Sequence, residues 1–315
     1  MSWLLKRFRV RFSVRTLLAA ITILGTLLGC VGNEVRRLRL HRQAEQRIRQ
    51  LGGNYHPVND SDYGDPLGPR WCPVVRDALY AEEEVVWFNS TSNAGLRDED
   101  LQVLRHLPHL TVLEISAPLI TDEALIHIQR KRKLRELTLY ETEVTGRGLK
   151  GLRGIPLEKL VLAGPTITDE TLEGLEVFPD LRKLIIAETA VTDVGLAHLK
   201  HVPRLEKLFI AKCPVSDSGM STLQQLMHLH ELDLEDLAIT DRGIAPLAAL
   251  PRLRNLSVAG TQATEAGLLA FRNTPALEYL DIGRQPDSET VKRVSGFLPG
   301  CRVYDLGGAR CMQGW

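Results

Sequence analysis

The stretch LRKLIIAETAVTDVGLAHLKHVPR, residues 181–204, is followed at once by LEKLFIAKCPVSDSGMSTLQQLMH, residues 205–228, and the two share one pattern. It reads L-x-x-L-x-[LIV]-x-x-x-x-[IVA]-[TS]-[DEG]-x-x-[LMI]-x-x-[LIF]. Working outward, the leading leucine recurs at Leu110, Leu134, Leu157, Leu181, Leu205, Leu229, Leu253 and Leu277, at intervals of 24 residues with a single 23. A fixed period of this size marks an array of stacked units. One unit supplies about seven apolar side chains, worth ~10–20 kcal/mol when fully buried, while ordering its backbone costs roughly 1–2 kcal/mol per residue. A unit cannot fold alone. Stacking buries its apolar side against both neighbours and makes one continuous core with no central pocket.

Within each unit, alternation as in Leu137 and Leu139 predicts a short strand with leucines inward, and strands at this period stack in parallel. The pairs Thr121-Asp122, Thr168-Asp169, Thr192-Asp193, Ser216-Asp217 and Thr240-Asp241 predict helix starts, the hydroxyl residue capping and the aspartate favouring the positive helix end. Glycine three residues after the cap, at Gly148, Gly195, Gly219, Gly243 and Gly267, predicts only one or two helical turns on the convex side. Prolines such as Pro156, Pro179, Pro203, Pro251 and Pro275 shape the return loops.

The L-x-x-L-x-L opening at this period resembles the leucine-rich repeat family over residues 86–306. That resemblance implies an α/β solenoid: a curved parallel sheet on the concave side, short helices on the convex side, and no established chemistry. The family commonly carries asparagine at an interior turn position that here reads Pro118, Thr142, Pro165, Thr189, Cys213, Leu237 and Thr261. Threonine bonds neighbouring backbone and cysteine does so weakly, so Cys213 is expected to be a structural member of that column.

A formal charge of zero hides an asymmetry. Residues 1–50 carry eleven Lys or Arg and two acids, Glu34 and Glu45, for +9, which leaves the remainder at −9. An acidic array with a basic end is not a nucleic-acid-binding profile. Leu17 to Gly32 is apolar and follows Lys6, Arg7, Arg9, Arg11 and Arg15. Sixteen helical residues span ~24 Å, short of a ~30 Å hydrocarbon core, and flanking arginines that snorkel extend the reach. The expectation is a retained transmembrane helix with the repeats exported. A lipoprotein lipidated at Cys30 and a cleaved signal peptide compete with it. The basic stretch Glu34 to Gln50 reads as a helix, lying on anionic headgroups or serving as a solvated linker.

Glycines and prolines between Gly52 and Pro69 mark an irregular lead-in, Pro73 to Tyr80 a short helix, and Glu84 to Phe88 a first strand. The Phe12 to Leu18 segment, Leu51-Gly52-Gly53 and Trp71 to Phe88 together resemble bacterial membrane-anchored leucine-rich repeat proteins, which implies a membrane location. The expected divisions are 1–33, tail and anchor; 34–85, basic juxtamembrane helix, linker and N-terminal cap; 86–306, solenoid; and 307–315, a flexible tail. At the far end, Leu277 to Ile282 reads as the last full strand, Ser288 to Phe297 as a helix and Arg302 to Leu306 as a half-repeat strand.

Catalytic and metal signals are weak. The cysteines, Cys30, Cys72, Cys213, Cys301 and Cys311, lack zinc-like spacing with each other or with histidine, and Cys301 with Cys311 could close a terminal loop on export. His198, His201, His228 and His230 fall on the outer surface, and no nucleophile elbow or phosphate loop appears. Glu141, Glu188 and Asp236 read as solubilising acids at strand ends. No enzyme activity, cofactor or small-molecule substrate is implied.

The expected binding site is on the strand face. Outward positions align Lys159, Lys183 and Lys207, then Val161, Ile185 and Phe209, then Ala163, Ala187 and Ala211, bounded by Glu136 and by Glu231, Asp233 and Glu235. Lysines beside exposed apolar residues suit a protein partner with an acidic segment. The bland alternative is that Glu158 and Glu206 neutralise the lysines. Other classes are an exported receptor for a glycan or cell-wall polymer, for which only Tyr140, Phe209 and Tyr279 supply face aromatics, and an F-box-like substrate-recognition protein, which needs an F-box where this chain has its apolar segment.

Overall fold

The computed structural model describes residues 14–58, 83–88, 95–274, 276–283 and 288–304. Among the described residues eleven strands form one sheet in chain order: β1 Asn54–Val58, β2 Glu83–Phe88, β3 Leu110–Ser116, β4 Glu136–Tyr140, β5 Lys159–Ala163, β6 Lys183–Ala187, β7 Lys207–Ala211, β8 Glu231–Glu235, β9 Asn255–Ser257, β10 Tyr279–Asp281 and β11 Arg302–Tyr304. From β2 onward every pairing is parallel, and β1 alone runs antiparallel against β2. Each parallel connection carries the chain over the convex side as a short helix, in most repeats followed by a 3₁₀ turn, as in Asp193–Leu196 and Ala197–His201. The expected inward strand residues are the core: Leu137, Leu139, Leu160, Leu162, Leu184, Ile186, Leu208 and Ile210 are all fully buried. The last strand is shorter than expected, Tyr279–Asp281. The C-terminal helix covers Ser288–Phe297, and Leu306 lies outside the described residues.

The hydroxyl–aspartate pairs do more than start helices. Thr192 accepts from its own helix at Val194 N, but the aspartate reaches across to the next repeat. Asp193 accepts from Ser216 N at 2.8 Å and Ser216 Oγ at 2.5 Å. Asp98 with Thr121, Asp122 with Thr145, Asp169 with Thr192, Asp217 with Thr240 and Asp241 with Thr264 repeat that bidentate contact. These are charge-assisted bonds that satisfy an otherwise orphaned helix-start N–H. They also explain the glycines. A Cβ at Gly195, Gly219 or Gly243 would stand 2.3–2.4 Å from the carboxylate oxygen of the preceding repeat's aspartate. The ladder skips one rung. Gly146 stands where an aspartate is expected, because a Cβ there would lie 2.1 Å from the Glu170 carbonyl. The following repeat then has Thr171 in place of glycine, and its side chain accepts from Thr168 N at 3.2 Å.

A second column follows the strands. Glu141, Gly164, Glu188, Lys212, Asp236, Gly260 and Gly283, each just past a strand, all have positive φ. Glu188 N donates to Ala211 O at 2.9 Å, and Glu141, Gly164, Lys212 and Asp236 do the same one repeat along. Glu141, Glu188 and Asp236 are therefore not merely solubilising: they hold a left-handed turn that costs a non-glycine residue roughly 1–2 kcal/mol. The interior turn column is mixed. Cys213 Sγ lies 3.2 Å from Thr189 Oγ1 and donates to Ala211 O at 3.2 Å, as expected of a structural member, and burial pushes its thiol pKa up. Leu237 is simply buried.

The N-terminal end is capped in a way the sequence did not announce. One uninterrupted helix covers Val14–Gln50, so no break separates the expected anchor from the expected juxtamembrane helix. Its last turns pack against the 3₁₀ helix Asp98–His106 and β1, and reach side chains of β2. His41 Nε2 lies 2.8 Å from Glu84 Oε1 near the strand's start, and Tyr55 Oη lies 3.3 Å from the same nitrogen. Glu84, fully buried, also accepts from His109 N at 3.0 Å. Ala44 and Ile48 are buried, and a Cβ on Gly53 would sit 2.6 Å from the Phe88 ring and 2.9 Å from Ile48. The C-terminal half of the basic stretch is thus neither a free linker nor a headgroup-bound helix, since its apolar positions close the core. Leu17 to Gly32 is helical, yet among the described residues no helix is long and apolar enough to cross a membrane. The expected helix Pro73 to Tyr80 and the tail 307–315 lie outside the described residues.

A buried cation closes the first 3₁₀ helix, Asp98–His106. Lys131 Nζ donates to Leu107 O at 2.7 Å and to Arg105 O at 3.2 Å, carbonyls with no further helical partner. Burial pushes its ammonium down to about 8.

Candidate protein-binding face

The predicted register is the observed one. Lys159, Lys183 and Lys207 pair in one column across β5, β6 and β7, Val161, Ile185 and Phe209 in the next, and Ala163, Ala187 and Ala211 in the third. Parallel strands ~4.8 Å apart bring each column side by side. Glu136 and Glu231 continue the lysine column on either side.

The surface chemistry differs from the expectation in two ways. Val161 and Ile185, expected to be exposed, are 1% and 3% accessible. Lysine stems bury along neighbouring apolar surface while their ammonium groups stay polar. The Lys183 ammonium lies 5.2 Å from the Phe209 ring centroid, across the second column, in cation–π geometry. The apolar column is largely covered, with half-buried Phe209 as its accessible member. The lysines are also neutralised by other partners than Glu158 and Glu206. Lys159 pairs with Glu136 at 3.2 Å and Lys207 with Glu231 at 2.7 Å. Glu158 lies 3.3 Å from Arg135, and Glu206 pairs with Arg182. Burial, then the charges of Lys159 and Lys207, lower the Lys183 pKa.

The boundary on the β8 side is acidic and enclosed, for Asp233 and Glu235 are both buried. The three face aromatics do not make a platform: Tyr140 lies in the alanine column, Phe209 in the apolar column and Tyr279 in the lysine column. Tyr279 instead stacks on Tyr304 with centroids 6.2 Å apart, and Arg302 lies over it at 5.7 Å.

The remaining expected residues are scattered. His198 and His201 stack at 6.3 Å on the outer side, and His228 Nδ1 meets Arg252 at 3.2 Å. Among the described residues no group of three or more metal-ligating side chains converges. Cys301 is half-buried with its thiol pKa pushed up to about 11 by burial, while Cys72 and Cys311 lie outside the described residues.

A leucine-rich repeat family model matches residues 225–248, one full period of the array. The chain has the leucine-rich repeat fold. Among solved structures it is similar to an internalin, InlF, from Listeria monocytogenes strain 4b F2365, at 20% identity and a TM-score of 0.51, covering 67% of this chain and 58% of that one. The chain thus matches somewhat more than half of that internalin's length, and the likeness is one of fold. Internalin C2 from the same strain aligns at 24% identity over 60% of this chain and 83% of that one, with a TM-score of 0.46. No curated protein matches the chain in sequence.

Proposed function

We propose that this leucine-rich repeat protein is a membrane-tethered interaction module. Leu17 to Gly32 holds it at a bilayer with the repeats exported, and the concave strip of Lys159, Lys183, Lys207 and Phe209 binds an acidic segment of a partner protein. The observation that carries the binding half is the stacking of three lysines in register across β5, β6 and β7, with Lys183 poised over Phe209. A carboxylate-bearing segment laid along this column would exchange places with Glu136 and Glu231, and an apolar side chain of the partner would pack on Phe209. Electrostatic complementarity of this kind speeds association and selects partners more than it adds raw affinity.

The test is crosslinking in native membranes, detergent extraction and identification of what co-purifies, repeated with Lys183→Glu combined with Phe209→Ser. Ile185 is left intact because it is buried. Loss of the partner from a variant that melts like the wild type supports the strip, and undiminished recovery refutes it. For the tether, the protein should resist carbonate and high-salt washes, and Cys30→Ser should leave it there. Release by Cys30→Ser would mean a lipid anchor instead.

A further inference from the structure

Because β2 to β11 are parallel, all their starts lie on one edge of the array and all their ends on the other. The two edges carry opposite charge. The return loops that lead into β3 to β10, residues 105–109, 129–135, 151–158, 176–182, 200–206, 224–230, 248–254 and 272–278, hold thirteen Lys or Arg against five Asp or Glu, a net +8. The turns that leave β3 to β9, residues 117–123, 141–147, 164–170, 188–194, 212–218, 236–242 and 260–266, hold twelve acids against three bases, a net −9. The acids of that second edge have structural work in the aspartate ladder. The first edge carries exposed bases such as Arg130 and Lys200, while Lys131 there is turned onto two backbone carbonyls and Lys133 meets only the His109 ring.

The N-terminal helix supplies the direction. It runs with β2, from His41 beside Glu84 near the strand's start to Ile48 near Phe88 at its end, with Arg47 3.2 Å from Asp100 beyond. The helix from Val14 to Leu40 therefore points out past the basic edge. Arg37 acts electrostatically on His109, whose ring lies 2.8 Å from Lys133 in those loops. Gly32, where the apolar stretch ends, is nine residues before His41, or ~13.5 Å along a helix. A headgroup layer occupies roughly 5–8 Å of that distance, which leaves the basic loops about one Debye length, ~8 Å, from its charges.

We infer that the strand-start edge is a docking surface for an anionic bilayer, so that the solenoid stands with its basic loops toward phosphate headgroups and its acidic edge away. This rests on the tether proposed above. Each basic residue brought to an anionic surface adds ~1 kcal/mol, roughly fivefold in affinity, so even a few suffice to bias orientation. The concave strip then faces sideways along the membrane, open to a partner in the same layer.

The test uses the full chain with vesicles of phosphatidylcholine alone and vesicles that also contain phosphatidylglycerol. Flotation reports attachment, and acylation of lysines by a water-soluble reagent, read by mass spectrometry, reports orientation. Lys133 and Lys200 on the basic edge should be shielded severalfold on anionic vesicles only, and Lys212 on the other edge should not. High salt should abolish the shielding, as should Arg130→Glu with Arg153→Glu and Arg252→Glu, three exposed changes whose folding is checked by thermal melting. A chain that floats with both vesicles while Lys133 and Lys200 label equally on both overturns the docking surface and leaves the tether standing. A chain that floats only with anionic vesicles, and loses this on charge reversal, supports the docking surface and overturns the tether. A chain that floats with neither overturns both.

Discussion

The concave strip and the strand-end edge are built from the same repeat but use polar residues differently. On the edge, Asp193 is held by two bonds from the next repeat and by Gly219, which leaves it room. On the strip, Lys159 and Lys207 meet glutamates from neighbouring strands through single contacts between long side chains. Polar groups locked by backbone partners belong to the fold, and polar groups held only by other side chains remain available to exchange partners.

The largest effect should come from the core that both regions share. Leu184→Ala should cost ~2–5 kcal/mol in denaturant unfolding, and because each repeat contacts only its neighbours, hydrogen exchange should show local loosening before global unfolding. Lys183→Ala beside it, on the strip, should cost under ~0.5 kcal/mol. Comparable losses from both would erase the distinction between the inward and outward columns.

Next come the ladder and its glycine. Asp193→Ala strands the Ser216 N–H and should cost ~1–3 kcal/mol. Gly219→Ala puts a Cβ 2.4 Å from Asp193 Oδ1 and should cost a similar amount. In the double variant the clash is gone, so the sum should fall short of additivity by at least ~0.5 kcal/mol. Strict additivity would show that the glycine column is there for some other reason than the aspartates.

A smaller change should go the other way. Glu188→Gly relieves a left-handed residue with φ of 55° but loosens the unfolded chain and gives up the exposed Lys212 contact at 2.8 Å. The net should be a gain of up to ~1 kcal/mol, read as a raised unfolding midpoint. A loss would mean that the lysine contact outweighs the strained turn.

The smallest effect per site concerns acid. The Thr240 hydroxyl, then its N–H, hold Asp217 below the usual carboxylate value of 3.8. A group depressed on folding contributes stability that is present above its unfolded pKa and lost as pH falls through the lower folded value. Unfolding midpoints below about pH 4 should therefore fall less steeply in Asp217→Ala than in the wild type. Identical slopes would remove the aspartate from the acid response.

Much of this was legible because a repeat reports its own structure several times over. The leucines name the inward columns, and the spacing between them places Lys159, Lys183 and Lys207 in register. Locally the aspartates read as helix starters, which a single repeat suffices to suggest. Their bond to the next repeat spans 23 residues and is invisible to local pattern. A signal was present all the same, since Gly146, which has no carboxylate to offer, is followed one repeat on by Thr171 at the position that Gly195, Gly219 and Gly243 hold in the later repeats. Lys131 looked like any member of a basic run, and only the fold turns it inward onto two carbonyls.

By itself, then, the sequence determined the solenoid, the strand register and the columns of the concave face, because period and alternation are local properties that stacking merely multiplies. The tertiary structure alone decided that Val161 and Ile185 are covered, that Glu136 and Glu231 pair with the outer lysines, and that His41, Ala44 and Ile48 close the first repeat. Those outcomes depend on how long side chains lie across neighbouring strands and on where a helix docks, and neither is written in the spacing of residues along the chain.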